Sequence, residues 1–147
     1  MTMVKKSDFV DEARRWIGTP YQHQCSVCGQ GADCLGLLRG VWRGVLGQEP
    51  MPIPVYTPDW TEISGKETLF DGAKALLRPV DIDQPGDILL FRMRRGAVAK
   101  HLAVRAQSPT GVPTIIHAYS KRGVVETALT EPWRRKIVAR FEFPTRG

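Results

Sequence analysis

Three cysteines, Cys25, Cys28 and Cys34, crowd into ten residues, and the three histidines are His23, His101 and His117. An odd number of cysteines this tightly spaced is not a disulfide framework; it points to reactive or metal chemistry in one place. Cys34 follows Asp33, a strong N-cap residue, and opens an apolar periodic run, so its thiol belongs in the first turn of a helix. An ordinary thiol is only a few per cent thiolate at neutral pH. The positive end of a helix dipole and a nearby imidazolium both favour the anion. The Cys34 amide, unpaired at the helix start, also points where an acyl oxyanion would sit.

His101 opens one predicted strand, and His117 lies inside the next, flanked by Ile116 and Ala118. If these strands pair as a hairpin, one imidazole can take the thiol proton while the other holds it in the required tautomer. A lone strand histidine is more often structural; two on successive strands, in a chain with a helix-start cysteine, favour catalysis. Asp33 sets a condition on this reading. A carboxylate aimed at the sulfur would raise the thiol pKa. Its charge must turn onto the amides of its own helix or into the substrate site.

His23-x-Cys25-x-x-Cys28 has metal-ligand spacing, but no second Cys-x-x-Cys pair is present to complete a zinc or iron–sulfur site. Recruiting Cys34 as a ligand would consume the nucleophile. Three readings of Cys25 and Cys28 stay open: plain loop residues, a redox-sensitive pair able to form a mixed disulfide with Cys34, or metal ligands with His23.

The elements that must position these groups follow from periodicity. Ser7 caps a first helix to about Ile17, with Phe9, Val10, Ala13, Trp16 and Ile17 on one face and Gly18-x-Pro20 ending it. Residues 19–32 show no periodicity and read as a loop. The second helix runs from Cys34 to about Leu46, with Leu37, Leu38, Val41, Trp42 and Val45 as its apolar side. Gly36, Gly40 and Gly44 share another face at a cost of about 1 kcal/mol each relative to alanine. Their register predicts close packing there, with a sheet as the expected partner. Residues 48–58, with four prolines, read as an extended connector, and Glu67 to Leu77 as a third helix. Five strands follow, at Asp87–Met93, His101–Gln107, Thr114–Tyr119, Val124–Ala128 and Lys136–Phe143, separated by turn signals. Helices first and antiparallel strands afterwards is the α+β pattern.

Composition bounds the rest. The 147 residues, 42% hydrophobic and 24% charged, suit one globular domain spanning 1–147. No apolar run approaches the roughly 20 residues needed to cross a membrane. Lys5 and Lys6 lead into a charged segment where a secretory signal needs an apolar core, so synthesis in the cytoplasm without a signal peptide is expected. Net charge is +6, which draws the surface to polyanions such as an anionic cell wall. The basic residues are scattered apart from Arg92, Arg94, Arg95 and Arg134, Arg135, Lys136, and no specific nucleic-acid reader is indicated.

Several segments resemble, in order, the motifs of NlpC-type cysteine endopeptidases. They are Gly18-Thr19-Pro20-Tyr21, Asp33-Cys34-Leu35-Gly36-Leu37, Pro85-Gly86-Asp87-Ile88-Leu89-Leu90-Phe91, His101-Leu102-Ala103-Val104 and Ile116-His117-Ala118. The resemblance extends over residues 9 to about 143. It implies a papain-like fold, with the nucleophile helix packed on an antiparallel sheet, and no cofactor. It further implies cleavage of the peptide stems of bacterial peptidoglycan, often between D-glutamate and a diamino acid. Cys34 would be the nucleophile, His101 the base and His117 the polar residue orienting it. Tyr21 and Asp33 would line the pocket for the stem's N-terminal amine.

Two departures qualify the resemblance. Leu35 stands where the family commonly has serine, and Gln24-Cys25-Ser26-Val27-Cys28-Gly29 replaces its usual glycine pair. The Asp-Cys-Leu-Gly form is similar to tail-associated peptidases of phages and phage-like particles, including gene transfer agents. That implies a tail or hub protein as partner and action on the cell wall from the periplasm. Two other functions compete: an acyltransferase or amidase on a related fold, and an inert structural or metal-binding tail component. The order of Cys34 before His101 counts against lipid acyl relatives, which tend to place histidine first.

Overall fold

The computed structural model describes residues 4–49 and 68–144. Most of the expected proline-rich connector, and the expected start of the third helix at Glu67, lie outside these residues.

Helix α1 (Lys6–Arg15) begins one residue before the expected Ser7 cap. Lys5 is its N-cap because the Asp8 carboxylate accepts the Lys5 amide at 2.8 Å. Phe9, Val10, Ala13 and Trp16 are buried as expected, whereas Ile17 is exposed because the helix has already ended at Trp16. The loop after it is not structureless. Two short strands, β1 (Ser26–Val27) and β2 (Gly31–Ala32), pair antiparallel and carry the chain to the start of α2 (Cys34–Leu46).

The glycine face of α2 does pack closely, but not on a sheet. A β-carbon on Gly36 would strike the Cys25 carbonyl, one on Gly40 the Trp16 ring, and one on Gly44 the Glu12 carboxylate. The partners are therefore α1 and the Cys25 loop. The opposite apolar side of α2 is what meets the sheet, and this lets both helices lie on the same sheet face.

After α3 (Thr68–Leu76) come β3 (Arg78–Pro79), β4 (Ile88–Phe91), β5 (His101–Gln107), β6 (Pro113–Tyr119), β7 (Gly123–Ala128), the short α4 (Glu131–Arg134) and β8 (Ile137–Glu142). They form a six-stranded antiparallel sheet in the order β3-β8-β4-β5-β6-β7. The strand beyond the expected five is β3, two residues paired to Glu142 and Phe141 of β8. Pro79 is tolerated there because an edge strand can spare an amide donor.

Alternation along β4, β5 and β6 builds two cores. Ile88, Leu90, Leu102, Val104, Ile116 and Ala118 face the helices and meet Phe9, Ala13, Leu37 and Val41. Leu89, Phe91, Ala103 and Ile115 face the other way, under Leu129 and Trp133. His101 and His117 share the alternation of the second set. On the helix side, Lys6 joins α1 to the sheet by bonding the buried Asp87 and, at 3.0 Å, Glu142. Burial holds the Asp87 carboxyl above its ordinary value, and Lys6 opposes that rise.

Candidate active site

Cys34 is in the first turn of α2, where the sequence predicts it, and is only 6% exposed. The α2 N-terminus abuts the start of β5: the Cys34 thiol donates to the Lys100 carbonyl at 3.7 Å, one residue before His101. Burial, and secondarily the Asp33 charge, push the thiol up to about 12, against opposing backbone hydrogen bonds at Leu102, Leu35 and Cys34.

Asp33 meets the condition set by the sequence. One carboxylate oxygen caps α2, accepting the Gly36 amide at 2.7 Å, and the other accepts the Gln24 amide at 2.8 Å. Gln24 adopts a left-handed φ of 63° to turn its amide there. The charge thus sits on backbone donors and beside His23, 3.7 Å away, instead of on the sulfur. Its field still reaches the thiol, as the second cause of the raised pKa.

The hairpin expected to unite the histidines is present. Strands β5 and β6 pair with Val104 opposite Ile116, which sets His117 diagonally across from His101. His101 Nε2 and His117 Nδ1 are 2.8 Å apart, and His117 Nε2 lies 3.1 Å from Thr127 Oγ1. Nδ1 is then the His101 ring nitrogen outside that bond. Burial, followed by the neighbouring His117, lowers His101 to about 3, and burial lowers His117 to about 4. Both imidazoles are therefore neutral at pH 7, and the resting pair is thiol and neutral imidazole. Trp133 packs edge-on to His117 at 5.2 Å and lies 5.7 Å from His101, with Phe91 5.8 Å from His101, so the histidine bond is walled by aromatic rings.

A cleft of about 160 Å³ brings together Tyr21, His23, Asp33, Cys34 and His101, with Lys100 and Tyr119 also on its wall. His117 is not on the wall; it stands behind His101. Tyr21 is anchored by a bridge to Ala32, and burial followed by the Cys34 and Asp33 charges raises its phenol to about 12, so it stays a neutral hydroxyl. Two opposite faces of the sheet thus contribute. The helix layer delivers the Cys34 thiol, and the aromatic layer delivers the His101 imidazole around the start of β5.

The three candidate metal ligands are not gathered. His23 turns into the cleft toward Asp33, the β1–β2 hairpin carries Cys28 out to the surface with its thiol on the Arg15 carbonyl at 3.4 Å, and the Cys25 carbonyl lies under Gly36. Among the described residues no group of three or more histidine, cysteine or acidic side chains could hold a metal ion. All three cysteines are free thiols.

Two residues that contact His117 carry no mark of it in the sequence. Thr127 lies opposite Ile115 on β7, which puts it on the His117 face one diagonal away. Only the β6–β7 register reveals this. Trp133 comes from α4, in a segment whose Glu131-Pro132 pair signalled a turn rather than a helix.

No family model matches the chain, and no curated protein matches it. Among solved structures it is similar to the NlpC/p60 domain of the peptidoglycan hydrolase SagA. The TM-score is 0.64 with 21% identity, over 95% of this chain and 100% of that chain. The fold is accordingly the papain-like α+β fold of NlpC/p60 domains.

Proposed function

We propose that this chain is a cysteine peptidase that hydrolyses peptide stems of bacterial peptidoglycan. The observation that carries the reading is a single cleft lined both by a helix-start cysteine and by a histidine held by a second histidine at 2.8 Å. The similarity to a domain of a peptidoglycan hydrolase and the net charge of +6, suited to an anionic wall, support the substrate class.

The stem's N-terminal ammonium sits against Asp33 and the Tyr21 hydroxyl. Cys34 Sγ attacks the scissile carbonyl carbon as its proton passes to His101 Nδ1, so the neutral resting pair becomes ionic only as the bond forms. Amides at the start of α2 receive the developing oxyanion. Collapse expels the amine, which takes the proton from His101, and leaves a thioester on Cys34. Water, deprotonated by His101, then attacks the thioester carbon; the C–S bond breaks, Cys34 takes the proton back from His101, and the new carboxylate leaves.

Digestion of purified sacculi with reductant present tests this. Mass spectrometry is expected to find stem fragments with the wild type and none with Cys34→Ala. Equal fragment release by both would refute the mechanism. A second reading, an inert structural component of a tail, is favoured by one observation: Cys34 is buried and its thiol held high. It predicts no release by either protein.

For its setting, we propose the tail or hub of a phage-like particle, from which the enzyme meets the cell wall in the periplasm. Support comes from the Asp33-Cys34-Leu35-Gly36 sequence, with Leu35 in place of serine. Proteomic analysis of purified particles from a producing strain is expected to contain the chain in fixed ratio to tail proteins; its absence would refute this setting.

A further inference from the structure

We propose that Thr127 is a positioning residue that sets the protons of the histidine pair, acting through His117. Its consequence for rate rests on the peptidase reading; its consequence for the protons does not.

For His101 to accept the thiol proton, its Nδ1 must carry a lone pair, so its own proton must be on Nε2. That N–H then donates to His117 Nδ1, 2.8 Å away. His117 must in turn carry its proton on Nε2, and the group facing Nε2 is the Thr127 hydroxyl at 3.1 Å. Each bond thus dictates the next, and the row ends on an oxygen able to accept. The reversed arrangement places a proton on His101 Nδ1 and removes the base. The working arrangement also serves after proton transfer, because only Nδ1 of His101 changes.

The location makes this last acceptor matter. His117 is 1% exposed, with the Trp133 edge against its ring. A buried N–H left without an acceptor is costly, and in surroundings of low polarity each bond polarises its neighbour. Thr127 is half-buried on β7, paired opposite Ile115 and absent from the cleft wall, so it touches no substrate. A threonine is also well matched to a strand, where valine would fit the same space without the hydroxyl.

The pair Thr127→Val and Thr127→Ser tests this. Nitrogen-15 NMR of the imidazoles in the free protein at neutral pH is expected to show both histidines protonated at Nε2. Thr127→Val should shift His117 toward the Nδ1-protonated form, and Thr127→Ser should restore the wild-type signature. On a stem peptide, Thr127→Val should lower kcat about tenfold with KM unchanged, the equivalent of one net hydrogen bond. Thr127→Ser should recover the rate.

His117 protonated at Nδ1 in the wild type, or unchanged tautomers in Thr127→Val, would overturn the proposal. The wild-type spectrum alone can overturn the proposal even if Thr127→Val fails to fold. Because the spectra need no substrate, a protein that cleaves no peptidoglycan but shows these tautomers refutes the peptidase reading alone.

Discussion

Replacing Asp33 by asparagine should make the protein less stable, its nucleophile more reactive and its turnover of stem peptides worse, all at once. The carboxylate accepts two backbone amides, from Gly36 at 2.7 Å and Gln24 at 2.8 Å. Asparagine serves about as well as aspartate at an N-cap, so the Gly36 bond survives. Its amide group would then face the Gln24 N–H, donor against donor. Losing one bond to a charged acceptor costs about 2 kcal/mol. For a chain of 147 residues that corresponds to a Tm lower by roughly 6 °C.

The Asp33 charge also helps raise the Cys34 thiol. Its removal lowers that pKa and speeds alkylation of Cys34 by iodoacetamide at fixed pH. Meanwhile the stem's ammonium loses its counter-charge, so KM rises. Calorimetry, peptide-mapped alkylation and stem-peptide kinetics read the three effects. Slower or unchanged alkylation of Cys34 in a folded Asp33→Asn protein would refute the electrostatic reasoning, and an unchanged KM would refute the role of Asp33 in amine binding.

Other outcomes follow from the same structure. A thiol pushed up to about 12 has roughly a thousandfold less thiolate at pH 7 than one at the ordinary value of 9.0, partly offset by the greater nucleophilicity of a more basic anion. Without substrate, Cys34 should therefore alkylate about thirtyfold more slowly than an ordinary thiol, and faster as pH rises. A fast rate, flat across mildly acidic pH, would instead reveal a resting ion pair.

Lys6→Met leaves the buried Asp87 without its cation and should cost about 2–3 kcal/mol near neutral pH. Asp87 already titrates above its ordinary value, and the variant raises it further. The folded state then holds a proton the unfolded chain has lost, so stability falls as pH rises from the ordinary carboxylate pKa through the folded one. Urea denaturation at about pH 4 and pH 7 should show the deficit growing with pH. Gly40→Ala, despite better helix propensity, should destabilise by about 1–3 kcal/mol because its methyl enters the Trp16 ring. Gly72→Ala on α3, where an added methyl meets none of the described residues, should gain about 1 kcal/mol by thermal melting.

The helix that Cys34 opens was legible because its signals are local. Asp33 caps, the apolar spacing is helical, and Cys34 can occupy only the first turn. The pairing of His101 with His117 was legible once two successive strands were recognised, since a short connection forces a hairpin. Spacing also announced that something approaches Gly36, Gly40 and Gly44, but periodicity records a close approach without naming what approaches. Glu12 on α1 and Trp16 at its C-cap, one turn apart, carry no mark of their destination. Thr127 and Trp133 were illegible for a related reason. Their contacts with His117 exist only in the register between β6 and β7 and in the return of α4 over the sheet, which are long-range facts. The two-residue β3 has too little pattern to signal itself, and a proline within it argues against a strand.

The most direct measurement is the intact mass of the protein quenched in acid shortly after mixing with a stem peptide bearing a free N-terminal amine. A mass increase equal to the acyl portion, mapped to Cys34, is expected together with release of the amine portion, and neither with Cys34→Ala. An adduct on Cys25 or Cys28, or cleavage that persists in Cys34→Ala, would contradict it.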